Sequence, residues 1–286
     1  MSKLFSIGEL SSCMCVSVRA IRYYEEIGYA RFRNEVHVKV IGAGNEGLRA
    51  LNRLRGLDPD IQTVSIAYGD ELNDIRRAFG ETELLSILAG IDHEAALVIA
   101  QEARKWGILT VGIVTDSFEE GGANRHVQVL AEHVDLLFDF SVYFDHQCCE
   151  DMIAGAIEAL SALVLKAPID LRDLHTIVKN KGRAYLAAAT STGASKISDA
   201  MDQLFSSSLL PEGLFAKTSF AILTIMASSD LSLFDAEHMV DEVRSKLADG
   251  TNILFGTIIE PDMHDAMKVS LVLTEIRSGA MLRRIR

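Results

Sequence analysis

The residues best suited to chemistry form a glycine-rich turn in the first fifth of the sequence. The stretch Val36–Gly47 is a short apolar run that leads into glycines and then into a helical pattern. Such a turn leaves backbone N–H groups free at a helix N-terminus, where they can bind a phosphate. The alternative is a plain strand-to-helix connection whose glycines supply positive φ angles. The predicted nucleotide-binding residues are Gly42, Ala43, Gly44, Asn45, Glu46 and Gly47.

A second turn carries acids where a phosphate site needs backbone amides. It follows the apolar run Leu84–Ala89 and reads Gly90-Ile91-Asp92-His93-Glu94. Asp92 and Glu94 would present negative charge to a phosphate, and like charges a few ångströms apart repel by about 1 to 4 kcal/mol. We therefore expect nucleotide binding to be weak. A catalytic His93–Glu94 pair is an alternative, although a Glu at a helix start also stabilises the helix dipole.

Composition limits the class of protein. The 286 residues are 49% hydrophobic, which suffices for two ordinary cores, and the formal net charge of −12 disfavours nucleic acid except through a local patch. No apolar run approaches the length that a membrane span needs, and no signal-peptide pattern is present.

The cysteines lie in two close pairs. Cys13 with Cys15 and Cys148 with Cys149 are too close in sequence for ordinary disulfides, so we expect free thiols and a cytoplasmic location. Adjacent side chains at 145–149 rarely converge on one ion, so no metal site is predicted.

The elements that must position these turns follow an alternating pattern. From Val36 to about Asp145, short β-branched runs alternate with helical stretches, which predicts a parallel, doubly wound (Rossmann-like) sheet in an α/β fold. A long helix over Cys148–Leu165 with apolar residues at helical spacing predicts a buried central strut. The predicted strands are Val36–Ile41, Thr63–Ala67, Leu84–Ala89, Leu109–Val114 and Leu136–Phe140, and the predicted helices are 47–56, 70–79, 93–106 and 123–132.

A second α/β half with a mixed sheet is predicted after Pro168. Its strands at Asn252–Glu260 and Met267–Glu275 are expected to pair antiparallel with each other. The other predicted elements are helices Leu171–Lys181, Ser195–Leu204 and Phe234–Ala248 and a strand at Ser219–Ala227. The predicted domains are an arm over 1–32, a nucleotide-binding domain over 33–147, the central helix over 148–166 and a C-terminal domain over 167–286.

Residues 1 to about 32 have a helix-turn-helix pattern. Ser17 caps the second predicted helix, and Arg19, Arg22 and Tyr23 would face a DNA groove and its phosphates. Residues 1–35 hold five Lys or Arg against four Glu, so their attraction to DNA phosphates would be slight. Specific DNA binding would therefore need a dimer.

Four blocks of residues 36–276 resemble the FtsZ/tubulin family. The most specific block is Gly256–Asp265, which reads Gly-Thr-Ile-Ile-Glu-Pro-Asp-Met-His-Asp; the others are Val40–Arg53, Ala103–Thr115 and His133–Asp135. The resemblance implies a nucleotide-binding domain, a core helix and an activation domain that stack head to tail into filaments. It also implies GTP or GDP, with Mg²⁺, as the ligand of the glycine turn.

The departures from the family concern the nucleotide pocket. The family's second phosphate loop is replaced by Gly90–Glu94 in a gap about four residues shorter, and the guanine-reading Asn falls at Glu150. The family's nucleotide-contacting Arg is kept as Arg125. The resemblance with these departures implies a GTPase lineage in which hydrolysis is weak or lost.

The resemblance also implies a catalytic loop that acts on the next protomer of a filament. The two carboxylates of that loop fall at or near Asp170 and Asp173, which a plain helix cap with a first-turn acid would also explain. The leading hypothesis is therefore an FtsZ-like protein that associates with itself or caps an FtsZ-type filament.

The first helix pair resembles the MerR transcription-regulator family. The matching residues are Ile7–Leu10 and Val16–Gly28, whereas the wing and dimerising helix of that family are absent. The alternative hypothesis is a DNA-binding regulator whose FtsZ-like body supplies dimerisation or ligand sensing. Residues 281–286 carry three arginines, which would form a solvated tail or contact an acidic partner or lipid.

Overall fold

One sheet of nine strands organises the chain, in the order β2-β1-β3-β4-β5-β6-β9-β7-β8. The predicted α/β fold class is confirmed. The computed structural model describes residues 36–54, 57–67, 72–90, 94–115, 123–140, 146–167, 174–175, 178–179 and 181–275, without the side chains of 123–126 and 146–149. The predicted helix-turn-helix over residues 1–32 lies outside this range.

The first half is a parallel sheet with helices on both faces. All residues of β3 and β4 are buried, as expected for central strands covered on both sides. Helix α1 packs on the face that also holds the long helix, whereas α2, α3 and α4 share the other face. The elements are β1 (Val38–Ala43), α1 (Gly44–Arg53), β2 (Ile61–Ile66), α2 (Leu72–Phe79), β3 (Leu84–Ala89), α3 (Glu94–Lys105), β4 (Leu109–Val114), α4 (Ala123–His133) and β5 (Leu136–Asp139).

The predicted central strut is present as α5 (His146–Leu165). Ala156, Ile157 and Leu163 are among its buried residues, and they belong to one core with side chains from both halves of the chain. The Thr224 hydroxyl donates a 3.1 Å hydrogen bond to the carbonyl of Ala159. The helix is therefore packed between the two halves, as the sequence predicted.

The second half continues the same sheet. Strand β6 pairs parallel with β5 and antiparallel with β9, and β9 pairs antiparallel with β7. Helices α6 and α8 cover one face with a core of their own. The elements are β6 (Gly182–Thr192), α6 (Lys196–Phe205), α7 (Leu214–Lys217), β7 (Thr218–Ala227), α8 (Leu233–Lys246), β8 (Asn252–Ile259), a 3-10 turn (Pro261–Met263) and β9 (Ala266–Glu275).

Two predictions for this half were wrong. The strand over Gly182–Thr192 was missed, because its alanines and threonines give little β-branched apolar signal. The pairing of the last two strands with each other was also wrong: β9 lies between β6 and β7, and β8 pairs parallel with β7. The interior of β9 is buried while β8 is partly exposed, so the more apolar strand takes the central position. The predicted helix Leu171–Lys181 lies largely outside the described residues.

None of the helices in the described ranges combines the length and apolarity that crossing a membrane would require.

Candidate functional site

The predicted phosphate turn is a sharp junction between strand and helix. Strand β1 ends at Ala43, and α1 begins at Gly44 with φ of 67°, a conformation that favours glycine. Ala43 is the N-cap residue, and its methyl side chain leaves the first N–H groups of the helix without a side-chain cap. The first N–H groups of a helix have no partner within the helix, so this end of α1 can receive an anion.

Close packing also explains the glycines of this turn. An added Cβ on Gly42 would lie 2.8 Å from the carbonyl oxygen of Gly47. An added Cβ on Gly47 would overlap the carbonyl oxygen of Leu88, in the neighbouring strand β3. These glycines let α1 lie directly against β1 and β3, which supports the alternative of a structural connection for them.

Glu46 brings a carboxylate into the first turn of α1. Its side-chain stem covers Gly90 at the end of β3, since an added Cβ there would lie 2.5 Å from Glu46 Cβ. The Glu46 carboxylate pairs with Arg49 at 2.7 Å and is 35% exposed. A negative side chain therefore lies beside the helix N–H groups that a phosphate would use.

The turn after β3 is short. Strand β3 ends at Ala89 and α3 begins at Glu94, which is exposed, so only four residues connect them. Gly90 is buried, and Asp92 and His93 lie outside the described residues. This four-residue connection stands where the resemblance implies a second phosphate loop.

Glu150, at the predicted base-reading position, faces a cation. The carboxylate of Glu150 in α5 lies 3.8 Å from Nε of Arg53 at the end of α1. The two side chains are 36% and 58% exposed, so this is a weak surface ion pair. The family resemblance implies an asparagine at this position.

Several predicted site residues cannot be placed. Arg125 belongs to α4, but its side chain lies outside the described residues. Asp170 and Asp173 lie outside them too, as do the candidate DNA-binding residues Ser17, Arg19, Arg22 and Tyr23. Among the residues that the structure describes, no three His, Cys, Asp or Glu side chains are grouped to hold a metal ion.

Two family-like blocks have structural roles. Asp135, from the block His133–Asp135, is buried and accepts hydrogen bonds from the Thr110 backbone N–H at 2.9 Å and its hydroxyl at 3.1 Å. Asp265, the last residue of the block Gly256–Asp265, lies 3.7 Å from Nζ of Lys196. Lys196 also bonds Asp230 at 2.5 Å, and this hydrogen bond is the main reason that the pKa of Lys196 is raised.

Sequence reasoning missed a lysine that joins three parts of the molecule. Lys166, at the end of α5, lies 2.9 Å from Asp58, which follows α1, and 2.6 Å from Glu260, which follows β8. Desolvation lowers the pKa of Lys166, but the hydrogen bonds with Glu260 and Asp58 outweigh it and raise the pKa overall. Lys166 and Asp58 line a cleft of about 560 Å³. No sequence spacing rule links residues this far apart.

Comparisons with known proteins find similarity to FtsZ. Residues 182–277 match the model of the FtsZ family, C-terminal domain. The chain is 26% identical over 264 residues to the cell division protein FtsZ of Buchnera aphidicola subsp. Schizaphis graminum, covering 83% of this chain and 68% of that protein. It is 25% identical over 268 residues to the FtsZ of Coxiella burnetii, covering 84% and 68%.

Solved structures agree on the fold. The chain is similar to an empty FtsZ dimer from M. jannaschii, with a TM-score of 0.70, 21% identity and coverage of 92% of this chain and 94% of that one. It is also similar to the GDP-bound CetZ1 monomer from Haloferax volcanii, with a TM-score of 0.63, 14% identity and coverage of 87% and 97%. These findings agree with the predicted resemblance to the FtsZ/tubulin family, whereas none of them bears on the predicted MerR-like segment.

Proposed function

We propose that this protein acts by association, with copies of itself or with an FtsZ-type filament protein, and that its own GTP turnover is weak or lost. The observation that carries the proposal is Glu46. Its carboxylate lies in the first turn of α1, where the resemblance implies a glycine-rich phosphate cradle.

The size of the repulsion between the Glu46 carboxylate and a phosphate supports weak nucleotide binding. A carboxylate about 4 Å from a phosphate oxygen would oppose binding by about 1 to 4 kcal/mol, according to solvent exposure. Each 1.4 kcal/mol changes a dissociation constant by about tenfold, so affinity would fall by one to several decades. Arg49 offsets part of this repulsion because it pairs with Glu46. Residual binding of GTP or GDP with Mg²⁺ is therefore weak in this proposal.

The relatives give the reason for choosing association. One similar structure is an FtsZ dimer from M. jannaschii, and another is a GTPγS-bound CetZ2 protofilament from Haloferax volcanii. In our proposal, Asp170 and Asp173 remain a usable contact for the next protomer. A protomer with this contact and a weakened pocket would dock at one end of a filament and stop its growth.

Calorimetry with GTP and Mg²⁺ tests the pocket. We expect little or no heat from the protein itself, and binding at least about tenfold tighter for Glu46→Gly or Glu46→Gln, since either removes the charge. Glu81→Gln is the matched control, because Glu81 is 88% exposed and precedes β3 at its opposite end. Micromolar binding by the unmodified protein, unchanged in both Glu46 variants, would overturn this part of the proposal.

Sedimentation tests association. We expect the protein to shorten or destabilise filaments of an FtsZ-type protein that hydrolyses GTP, and Asp170→Ala with Asp173→Ala to abolish the effect. The control pair is Glu212→Ala with Asp249→Ala, which changes two exposed acids elsewhere. If neither self-association nor an effect on such filaments is measured, the proposal fails.

DNA binding through the segment 1–32 stays a separate prediction. A mobility shift that weakens with salt and disappears in Arg19→Ala with Arg22→Ala would support it. A strictly monomeric protein would contradict it, since a single helix pair buries too little of a groove.

A further inference from the structure

Strand β8 (Asn252–Ile259) forms one edge of the nine-stranded sheet. It pairs with β7 on one side, and within the described residues no strand lies on its other side. A strand at an edge presents backbone N–H and C=O groups to which a further strand can add. The open side of β8 is therefore a place where an extended segment can bind.

The sequence of β8 lacks the features that usually protect an edge. The strand has eight residues, Asn-Ile-Leu-Phe-Gly-Thr-Ile-Ile, with neither a charge nor a proline. Ile253 and Phe255 lie on the face that α8 covers and Leu254 lies on the face of α5, and all three are only half-buried. The opposite edge of the sheet, β2, is shorter and exposes polar side chains. An apolar edge of this length indicates that another segment covers β8.

The chain leaves β9 close to this edge. Thr274 of β9 pairs with Phe220 of β7, and Phe220 pairs with Asn252, the first residue of β8. These three residues form one row across the sheet, so β9 ends two strands away from the start of β8. A strand added beyond β8 would lie about 14 Å from β9, since neighbouring strands are about 4.8 Å apart.

The residues after β9 are long enough to reach this edge. Residues 276–280 read Ile-Arg-Ser-Gly-Ala, in which Ser-Gly favours a turn. As a connection they span up to about 20 Å, which is more than the direct path requires. Because β9 runs antiparallel to β7 and β7 runs parallel to β8, a strand that turns back at this end of the sheet has the direction of β8. It would therefore pair with β8 in parallel.

The last six residues suit a strand at this position. Residues 281–286 read Met-Leu-Arg-Arg-Ile-Arg. In a strand, alternate side chains share a face, so Met281 and Ile285 would lie on one face and Leu282 on the other. Each face would also carry at least one arginine, and charged side chains protect an edge from further pairing. The segment thus supplies both the apolar contacts and the charges that the edge at β8 lacks.

Helix α8 brings an acid and an apolar side chain over the same edge. The helix packs on β8, and Glu242 lies on its flank toward α6. Leu233 and Glu237, one helical turn apart, lie on the opposite flank, and both are exposed. Residues 276–286 hold four arginines and no acid in a chain whose formal net charge is −12. Glu237 and the overall charge of the protein therefore both attract this segment.

We propose that residues 281–286 add to the sheet as a further strand, paired in parallel with β8 of the same chain. The added strand occupies the open side of β8 and replaces an apolar edge by one that carries arginines. The short connection to β9 gives the segment an effective concentration of about a millimolar, so weak pairing suffices. This inference concerns the edge alone and does not rest on the proposed nucleotide pocket or on association between protomers.

Hydrogen exchange measured by mass spectrometry tests the added strand. We expect backbone amides of residues 253–259 to exchange at least about tenfold faster in a chain that ends at Glu275 than in the unmodified chain. The buried strand β3 and the other edge, β2, serve as internal references and should change little. If exchange in β8 rises no more than exchange in β2 and β3, the proposal is wrong.

Proline substitutions test the pairing without shortening the chain. Leu282→Pro with Ile285→Pro keeps all four arginines. Because the two positions point in opposite directions along a strand, at least one substitution removes an N–H that the pairing needs. We expect β8 to exchange as fast as in the shortened chain. Ser278→Pro, in the connection, is the control and should leave exchange slow. Equal exchange in the double variant and the control would overturn the proposal.

Dilution separates pairing within one chain from pairing between copies. Exchange in β8 of the unmodified protein should not change over about a hundredfold range of concentration, since an intramolecular contact does not depend on concentration. If protection of β8 is lost on dilution, a second copy covers the edge and the assignment to the same chain is wrong.

Discussion

Lys166 Nζ lies 2.6 Å from the carboxylate of Glu260, which joins the end of the long helix α5 to the end of β8. The same ammonium group contacts Asp58 of the first half at 2.9 Å. Its side chain is 32% exposed, and those of Asp58 and Glu260 are 19% and 31% exposed. Because these groups are partly withdrawn from water, their attraction is stronger than that of a surface pair.

Replacing Lys166 with Met should destabilise the protein. The change leaves Asp58 and Glu260 without their shared cation, and we expect a loss of about 1 to 3 kcal/mol in the free energy of unfolding. Urea denaturation followed by circular dichroism measures it. Lys217→Met, at an exposed position, is the control and should change stability by less than about 0.5 kcal/mol. If Lys166→Met and the unmodified protein had equal free energies of unfolding, the contact of Lys166 with Asp58 and Glu260 would be energetically neutral.

The contribution of Lys166 to the free energy of unfolding should decrease at alkaline pH. Its folded pKa is raised above the usual 10.5, because the hydrogen bonds with Glu260 and Asp58 outweigh desolvation. A raised pKa stabilises the fold fully below the unfolded pKa, and that stability is lost as pH rises through the folded pKa. The stability difference between the unmodified protein and Lys166→Met should therefore be constant from pH 7 to 9 and shrink above about pH 10.5. A difference that stays constant throughout would contradict this pairing.

Gly47→Ala should strongly destabilise the first half. The added methyl group would overlap the carbonyl oxygen of Leu88, and a backbone atom cannot move away as a side chain can. We expect a loss of about 3 kcal/mol, measured by thermal unfolding. Gly155→Ala is the matched control, since its Cβ would lie 3.3 Å from the flexible side chain of Leu186 and alanine favours a helix. Similar melting temperatures for both variants would refute the packing explanation.

Ser232→Ala should weaken the start of α8. The Ser232 hydroxyl accepts a hydrogen bond from the Asp235 N–H, and the Asp235 carboxylate bonds Ser232 in return, so the change should cost about 1 kcal/mol. Ser245→Ala in the last turn of the same helix is the control. Chemical denaturation measures both.

The loss of stability caused by Ser232→Ala should also become smaller in acid. The hydrogen bond from the Ser232 side chain is the main cause that lowers the pKa of Asp235 below its usual 3.8. A lowered pKa stabilises the fold above the unfolded pKa, and this stability is lost as pH falls through the folded pKa. The difference in the free energy of unfolding between the variant and the unmodified protein should therefore become smaller in strong acid. A difference that becomes larger there would contradict the hydrogen-bonded pair of Ser232 and Asp235.

The sequence predicted much of the fold because its apolar runs are sharply bounded. Strands β3 and β4 have the predicted limits, since each is a fully buried run that ends before glycine, threonine or a charged stretch. The buried strut α5 was predicted from its apolar spacing. Strand β6 was missed because alanine carries little strand preference, and the partners of β8 and β9 depend on contacts that no local pattern encodes.

The candidate site was predicted in part. The junction from strand to helix lies within the predicted glycine turn, but the sequence ended the strand at Ile41 and began the helix at residue 47, whereas β1 runs to Ala43 and α1 begins at Gly44. The packing of Glu46 on Gly90 could not be predicted, since it joins two separate strand ends. Lys166 and Lys196 were likewise missed, because their partners are 34 to 108 residues away. The predicted roles of Arg125, Asp170 and Asp173 remain predictions.

The pairing between β5 and β6 is short. Only three residue pairs join these strands, from Leu136 with Gly182 to Phe138 with Ala184, whereas nine pairs join β6 to β9. We therefore expect a twist between the two halves to meet little resistance along this pairing, and we expect α5, which packs against both halves, to limit it.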